Sequence, residues 1–125
     1  MPTAHRFLVL SSVLASALLS SVAPAGSAPS GFDRCPAGHF CLFDGPDGTG
    51  LMASFRTGSP DLARQSMDNR ASSLADNVPD TVWCIYDERD YAGTEYQRVY
   101  PGAAGNFEPE WDDRVSSTRL GECSP

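Results

Sequence analysis

Asp68-Asn69-Arg70-Ala71-Ser72-Ser73 and Asp112-Asp113-Arg114-Val115-Ser116-Ser117 spell one hexapeptide twice: two Asp or Asn, two free positions, two Ser. About 100 residues follow an N-terminal leader, with 14 Asp and Asn and 10 Ser among them. By composition such a pattern is expected roughly 0.03 times per chain, so two copies point to duplication. Each copy packs carboxylate, amide and hydroxyl oxygens and turn carbonyls into a few residues, the hard donor set that Ca2+ takes. The same residues also form Asx and Ser turns with their own backbone, without metal.

The duplication extends outward from the hexapeptides. Cys41-Leu42-Phe43 returns as Cys84-Ile85-Tyr86, and Gly50 returns as Gly93, both 43 residues later. A period near 40 residues with two copies predicts a closed pseudo-symmetric pair, since a solenoid needs three or more. Residues 40–43 and 82–86 are apolar, aromatic and β-branched, bounded by turn residues, and read as strands. Residues 44–50 are turn chemistry throughout. Residues 94–100 alternate as a strand, and residues 115–120 read as a late strand. One helical turn or two is expected over 61–67, after Ser59-Pro60. Strand, turn and return pieces in two sets of four predict an all-β sandwich of two Greek keys, over about 38–77 and about 81–123.

The chain begins with a secretory signal. His5 and Arg6 precede an apolar, small-residue run over 7–19, and Ala23-Pro24-Ala25 is a cleavage site of A-x-A type. Cutting before Gly26 assigns 1–25 to the leader and 26–125 to one domain. The run is shorter than the roughly 20 apolar residues a membrane span needs, so a soluble, extracellular protein with no membrane partner is expected. A domain this small is modestly stable, and export makes disulfides plausible. Cys35–Cys41 and Cys84–Cys123 is the favoured pairing, with Cys41–Cys84 left open because the two cysteines hold equivalent repeat positions. After the leader, 8 arginines face 16 acids, and the chain has no lysine. That balance excludes nucleic acid, which needs a basic face, and suits a cation.

Catalysis finds little support. His39 is the single histidine after the leader, no acid is placed by sequence to orient it, and no G-x-S-x-G elbow occurs. Cys35-x3-His39-x-Cys41 lacks zinc-finger spacing. Asp87-Glu88-x-Asp90 falls in a hairpin and reads as a solvated face. Trp83 and Trp111 read as core or repeat-interface residues before an exposed sugar platform. The protein is expected not to be an enzyme.

Tyr86-x4-Tyr91-x-Gly93 resembles the folded hairpin of βγ-crystallin Greek-key motifs. The first copy keeps Phe43 and Gly50 but has Gly48 where the second aromatic belongs. Both hexapeptides are similar to the βγ-crystallin calcium motif at every position. The resemblance implies a βγ-crystallin-like sandwich binding two Ca2+ ions, each clamped by both repeats. It implies ligation by Asp68, Asn69, Asp112 and Asp113, hydroxyls of Ser72 and Ser116, and backbone carbonyls of Arg70 and Arg114, whose side chains need not matter. A carbonyl near Asp44 and another near Asp87 complete the set, while Ser73 and Ser117 brace the hairpins. The opening 35–43, Cys-Pro-Ala-Gly-His-Phe-Cys-Leu-Phe, resembles secreted bacterial metallopeptidase inhibitors of this fold. That likeness implies a monomeric, non-enzymatic inhibitor whose partner is a secreted protease. Its contact loop is expected over 36–40 or over 76–81. The alternative is a calcium-stabilised structural or surface-binding module without protease inhibition; a toxin on the same fold suits an acidic chain poorly.

Overall fold

The computed structural model describes residues 27–124; the leader read from 1–25 lies outside them. The first repeat supplies β1 (Phe40–Phe43), β2 (Met52–Phe55), β3 (Gly58–Ser59) and β4 (Ser73–Asp76). The second supplies β5 (Trp83–Tyr86), β6 (Tyr96–Val99), β7 (Ala104–Asn106) and β8 (Ser117–Leu120). They form two antiparallel sheets of four, ordered β2-β1-β4-β7 and β3-β8-β5-β6. Each repeat thus sends its third strand to the edge of the other's sheet. The repeats are interlocked, as two Greek keys sharing one sandwich.

The central strands β1 and β5 are buried at every position, which is why they read as apolar runs without alternation. Their inward residues meet across the sandwich. Phe40 and Trp83, the first residues of equivalent strands, stack at 4.7 Å between ring centroids. Leu42, Phe55, Ile85 and Val115 pack around them in one core. The outward residues of the same strands are covered as well. Cys41 and Phe43 lie under Cys35, Phe32 and Met52, and Cys84 and Tyr86 lie under Cys123, Tyr91 and Tyr96. The two disulfides, Cys35–Cys41 and Cys84–Cys123, each cover the outer face of a central strand.

The departure of the first hairpin has a physical counterpart. In the second repeat Tyr91 packs on Tyr86 at 5.8 Å. In the first, Gly48 stands at that position, and Phe32 from the 3-10 turn Gly31–Arg34 packs edge-on to Phe43 at 5.9 Å. Gly48 has φ 71°, and a Cβ there would run into the backbone of Gly31 and Phe32. The missing aromatic is replaced from outside the repeat. A cation completes each stack: Arg34 lies 5.6 Å from the Phe43 ring centre and Arg119 5.5 Å from that of Tyr86.

Elsewhere the elements are shorter than expected. The turn over 61–67 is a 3-10 segment, Leu62–Gln65, capped by the Asp61 side chain accepting from Ala63 N at 3.0 Å. Ser66 at φ 57° ends it. The strand over 94–100 narrows to Tyr96–Val99 and that over 115–120 to Ser117–Leu120. In the latter, the carbonyls of Val115 and Ser116 accept from Asn69 N and Leu62 N of the first repeat. Trp83 is fully buried and Trp111 is 6% exposed, so neither offers a platform at the surface.

Candidate metal centre

The two hexapeptides meet at the repeat interface. Asn69 and Asp113, at the second motif position, both take left-handed backbone, with φ 53° and 57°, a region where Asn and Asp are enriched. That conformation bends each turn toward the other repeat. Asn69 N donates to Val115 O at 3.0 Å, and Asp113 N donates to Ala71 O at 3.0 Å. The side chains then cross. Ser72 Oγ lies 3.4 Å from Asp113 Oδ1, and Ser116 Oγ lies 3.3 Å from Asn69 Oδ1.

Each crossed pair sits at the mouth of one hairpin. Ser72 N donates to Phe43 O at 2.8 Å, beside Asp44, and Ser116 N donates to Tyr86 O at 2.9 Å, beside Asp87. The following serines brace those hairpins. Ser73 Oγ donates to Gly45 O at 2.7 Å, and Ser117 Oγ donates to Glu88 O at 2.6 Å. The first site thus gathers Ser72, Asp113 and the Asp44 hairpin, with Asp112 lining the same cavity as Ser72 and Pro46. The second gathers Ser116, Asn69 and the Asp87 hairpin. Asp68 sits beside Asn69, its Oδ2 3.5 Å from Asn69 Nδ2 and 3.7 Å from Arg89.

The donors fit Ca2+ in kind and spacing. A separation of 3.3–3.4 Å is long for a hydroxyl hydrogen bond. It equals the gap between two oxygens at a right angle, each about 2.4 Å from one ion. A buried oxygen without a hydrogen-bond partner lies at Asp68 Oδ1, beside Asn69, an arrangement that costs free energy unless a cation or donor satisfies it; the unpartnered Asp87 Oδ1 faces Gly93 within its own hairpin. Among the described residues no three His, Cys, Asp or Glu side chains converge as a metal cluster.

The Arg70 and Arg114 side chains are not left free in solvent. Arg70 Nη2 pairs with Asp44 Oδ2 at 2.8 Å, and Arg114 Nη2 pairs with Asp87 Oδ2 at 3.2 Å and with Glu95. Glu95 foremost, and Asp87 after it, raise the guanidinium pKa of Arg114 further. The first free position of each motif faces a hairpin carboxylate, which its arginine neutralises; the second, Ala71 or Val115, is buried in the core. Nor is the 87–90 cluster uniformly solvated. Glu88 and Asp90 are exposed, but one Asp87 oxygen is buried. Gly50 and Gly93 allow this, because a Cβ at either would run into the carboxylate of Asp44 or Asp87.

At the far end of β1 the two expected contact loops are joined. Gly38 N donates to Asn77 O at 2.8 Å, Asn77 N to His39 O at 2.9 Å, and Asn77 Nδ2 to Cys35 O at 3.1 Å. The cystine loop and the connection between repeats form one surface. It lies beyond Phe40, while the crossed Asx-Ser turns lie beyond Phe43.

An interlocked pair of Greek keys with crossed Asx-Ser turns defines a domain of βγ-crystallin type. Solved structures of that type match this chain. A βγ-crystallin from Ciona intestinalis superposes with a TM-score of 0.56 at 24% identity, over 66% of this chain and 98% of that one. A structure described under the evolution of the eye lens βγ-crystallin domain fold gives 0.64 at 19%, over 78% and 96%. A βγ-crystallin from an archaeon gives 0.56 at 21%, over 67% and 98%. At these identities the likeness is one of fold. Residues 28–99 match the model of peptidase inhibitor family I36, and the chain belongs to that family. It is accordingly a non-enzymatic protein. No curated protein matches the sequence. Among the described residues no helix is long and apolar enough to cross a membrane.

Proposed function

We propose that the protein is a secreted, calcium-stabilised inhibitor of a metallopeptidase. Family membership supports inhibition, and the observation that carries it is the fusion of the 36–40 and 76–81 loops into one hydrogen-bonded surface inside the matched region. A cystine-closed loop bonded to its neighbour loses little entropy on docking, and preorganisation of this kind is a main source of inhibitor affinity. The metal turns serve a different end. Ions held between crossed turns would tie the repeats together and fix the end of β1 opposite the docking surface. Ser72, Asp113 and Asp112 with the Asp44 hairpin would hold one Ca2+, and Ser116, Asn69 and Asp68 with the Asp87 hairpin the other. The arginine carbonyls remain in the proposed set. The leader at 1–25 and two disulfides in a domain of this size support export.

Titration of a thermolysin-like enzyme with the purified mature protein tests inhibition. Stoichiometric loss of peptide hydrolysis at micromolar protein is expected. Unimpeded hydrolysis removes the inhibitory role and leaves a calcium-stabilised module.

A further inference from the structure

The joined surface carries a feature that neither metal binding nor loop preorganisation uses. Asp76 ends β4 and is 3% exposed. Its Oδ1 accepts from Val78 N at 3.0 Å, while its Oδ2 is sealed from solvent and has no hydrogen-bond partner. Two clefts of about 280 and about 260 Å3 flank it, and Asp76, Asn77 and Gly102 line both. Asp33 is on the rim, and neither lining contains a basic residue. The nearby arginines are occupied: Arg34 donates to the Gly48 and Gly50 carbonyls, and Arg56 to His39.

We propose that this cleft, between the cystine loop, the inter-repeat connection and the turn at 100–103, is a binding site for a lysine side chain of a protein partner. Clefts this small hold a side chain and not a larger ligand. Phe32, Ala75 and Ala104 offer apolar wall to a butyl stem, which long cationic side chains bury while the head seeks charge. Lysine suits the site better than arginine. Oδ1 is engaged by Val78, so a single oxygen is free, and an ammonium needs one where a guanidinium prefers a bidentate pair. Occupation displaces the cover over Oδ2, with Oδ1 held by Val78 N, and gives the unpaired oxygen its donor. A buried carboxyl without a cation favours its protonated form, as the raised pKa of Asp76, about 6, reflects. The partner's identity rests on the inhibitory reading; the site does not.

The test uses the full mature protein and no peptidase. N-acetyl-lysine amide, N-acetyl-arginine amide and N-acetyl-norleucine amide are titrated separately while the backbone amides of Val78 and Gly102 are followed by NMR. The lysine probe is expected to shift both saturably, the arginine probe to bind more weakly, and the norleucine probe to shift neither. Asp76→Asn should weaken the lysine probe by about tenfold, with a dispersed amide spectrum showing that the variant is folded. Asp33→Asn, on the exposed rim, should weaken it by about twofold. The proposal is overturned by equal binding of norleucine or arginine, by an unchanged Asp76→Asn, or by no saturable shift. Because no peptidase is present, failure here and failure of the inhibition assay are separate results.

Discussion

Asp76 is the residue whose environment sets a pH dependence. Burial raises its carboxyl from 3.8 to about 6, against the lowering pull of the Val78 N–H. The folded protein therefore binds this proton more tightly than the unfolded chain. The resulting stability is full below about pH 4 and is lost as pH rises through about 6. Asp76→Asn removes the dependence. Thermal or urea unfolding should show the variant more stable than the parent at pH 7.5, by on the order of 2 kcal/mol, and no more stable at pH 3.5. A constant difference across that range would contradict the assignment. At this scale the sequence was partly legible. Asn69, Asp113, Ser72 and Ser116 announced themselves by repetition. The ion pairs of Arg70 and Arg114 did not, because both stand at free positions of the pattern and their partners lie 26 and 27 residues away. Asp76 carried no motif at all; only the three-dimensional cover of its side chain distinguishes it from the other acids.

At the scale of elements, the first repeat depends on a piece outside itself. The 3-10 turn Gly31–Arg34 brings Phe32 onto Phe43 where the second repeat uses its own Tyr91. Phe32→Ala should lower stability by about 1–2 kcal/mol, less than a fully buried aromatic because Phe32 is only partly covered. Chemical denaturation measures it, and a change below about half a kcal/mol, as at an indifferent surface site, would refute the replacement. The cystine at Cys35–Cys41 acts on the same end of β1. Replacing both cysteines by serine should cost roughly 2.4 kcal/mol by the chain-entropy estimate. It should also weaken inhibition more than it weakens the fold. Variant and parent compared at a temperature where both are folded separate the two effects; equal inhibition would show that the loop does not make the contact. Sequence showed where Gly48 breaks the hairpin pattern, but the compensation was invisible because it depends on a contact between segments that share no repeat.

For the whole molecule, the governing fact is the strand exchange. Sending β3 and β7 into opposite sheets makes the repeats interdependent, and the crossed turns lie where they lock. The period near 40 residues and the apolar strands made the sandwich of two Greek keys readable. The strand orders and the joining of the 36–40 and 76–81 loops were not readable, because both arise from long-range pairing. Metal at the lock should stabilise the whole domain, by about 2.7 kcal/mol per site when free ion exceeds the dissociation constant 100-fold.

Calorimetric titration of the chelator-treated mature protein with Ca2+ tests the clamp most directly. Two ions per chain are predicted, with Asp113→Ala abolishing or strongly weakening one of them while leaving the domain folded. The absence of binding heat at millimolar Ca2+, together with a melting curve that the ion does not move, would contradict the clamp.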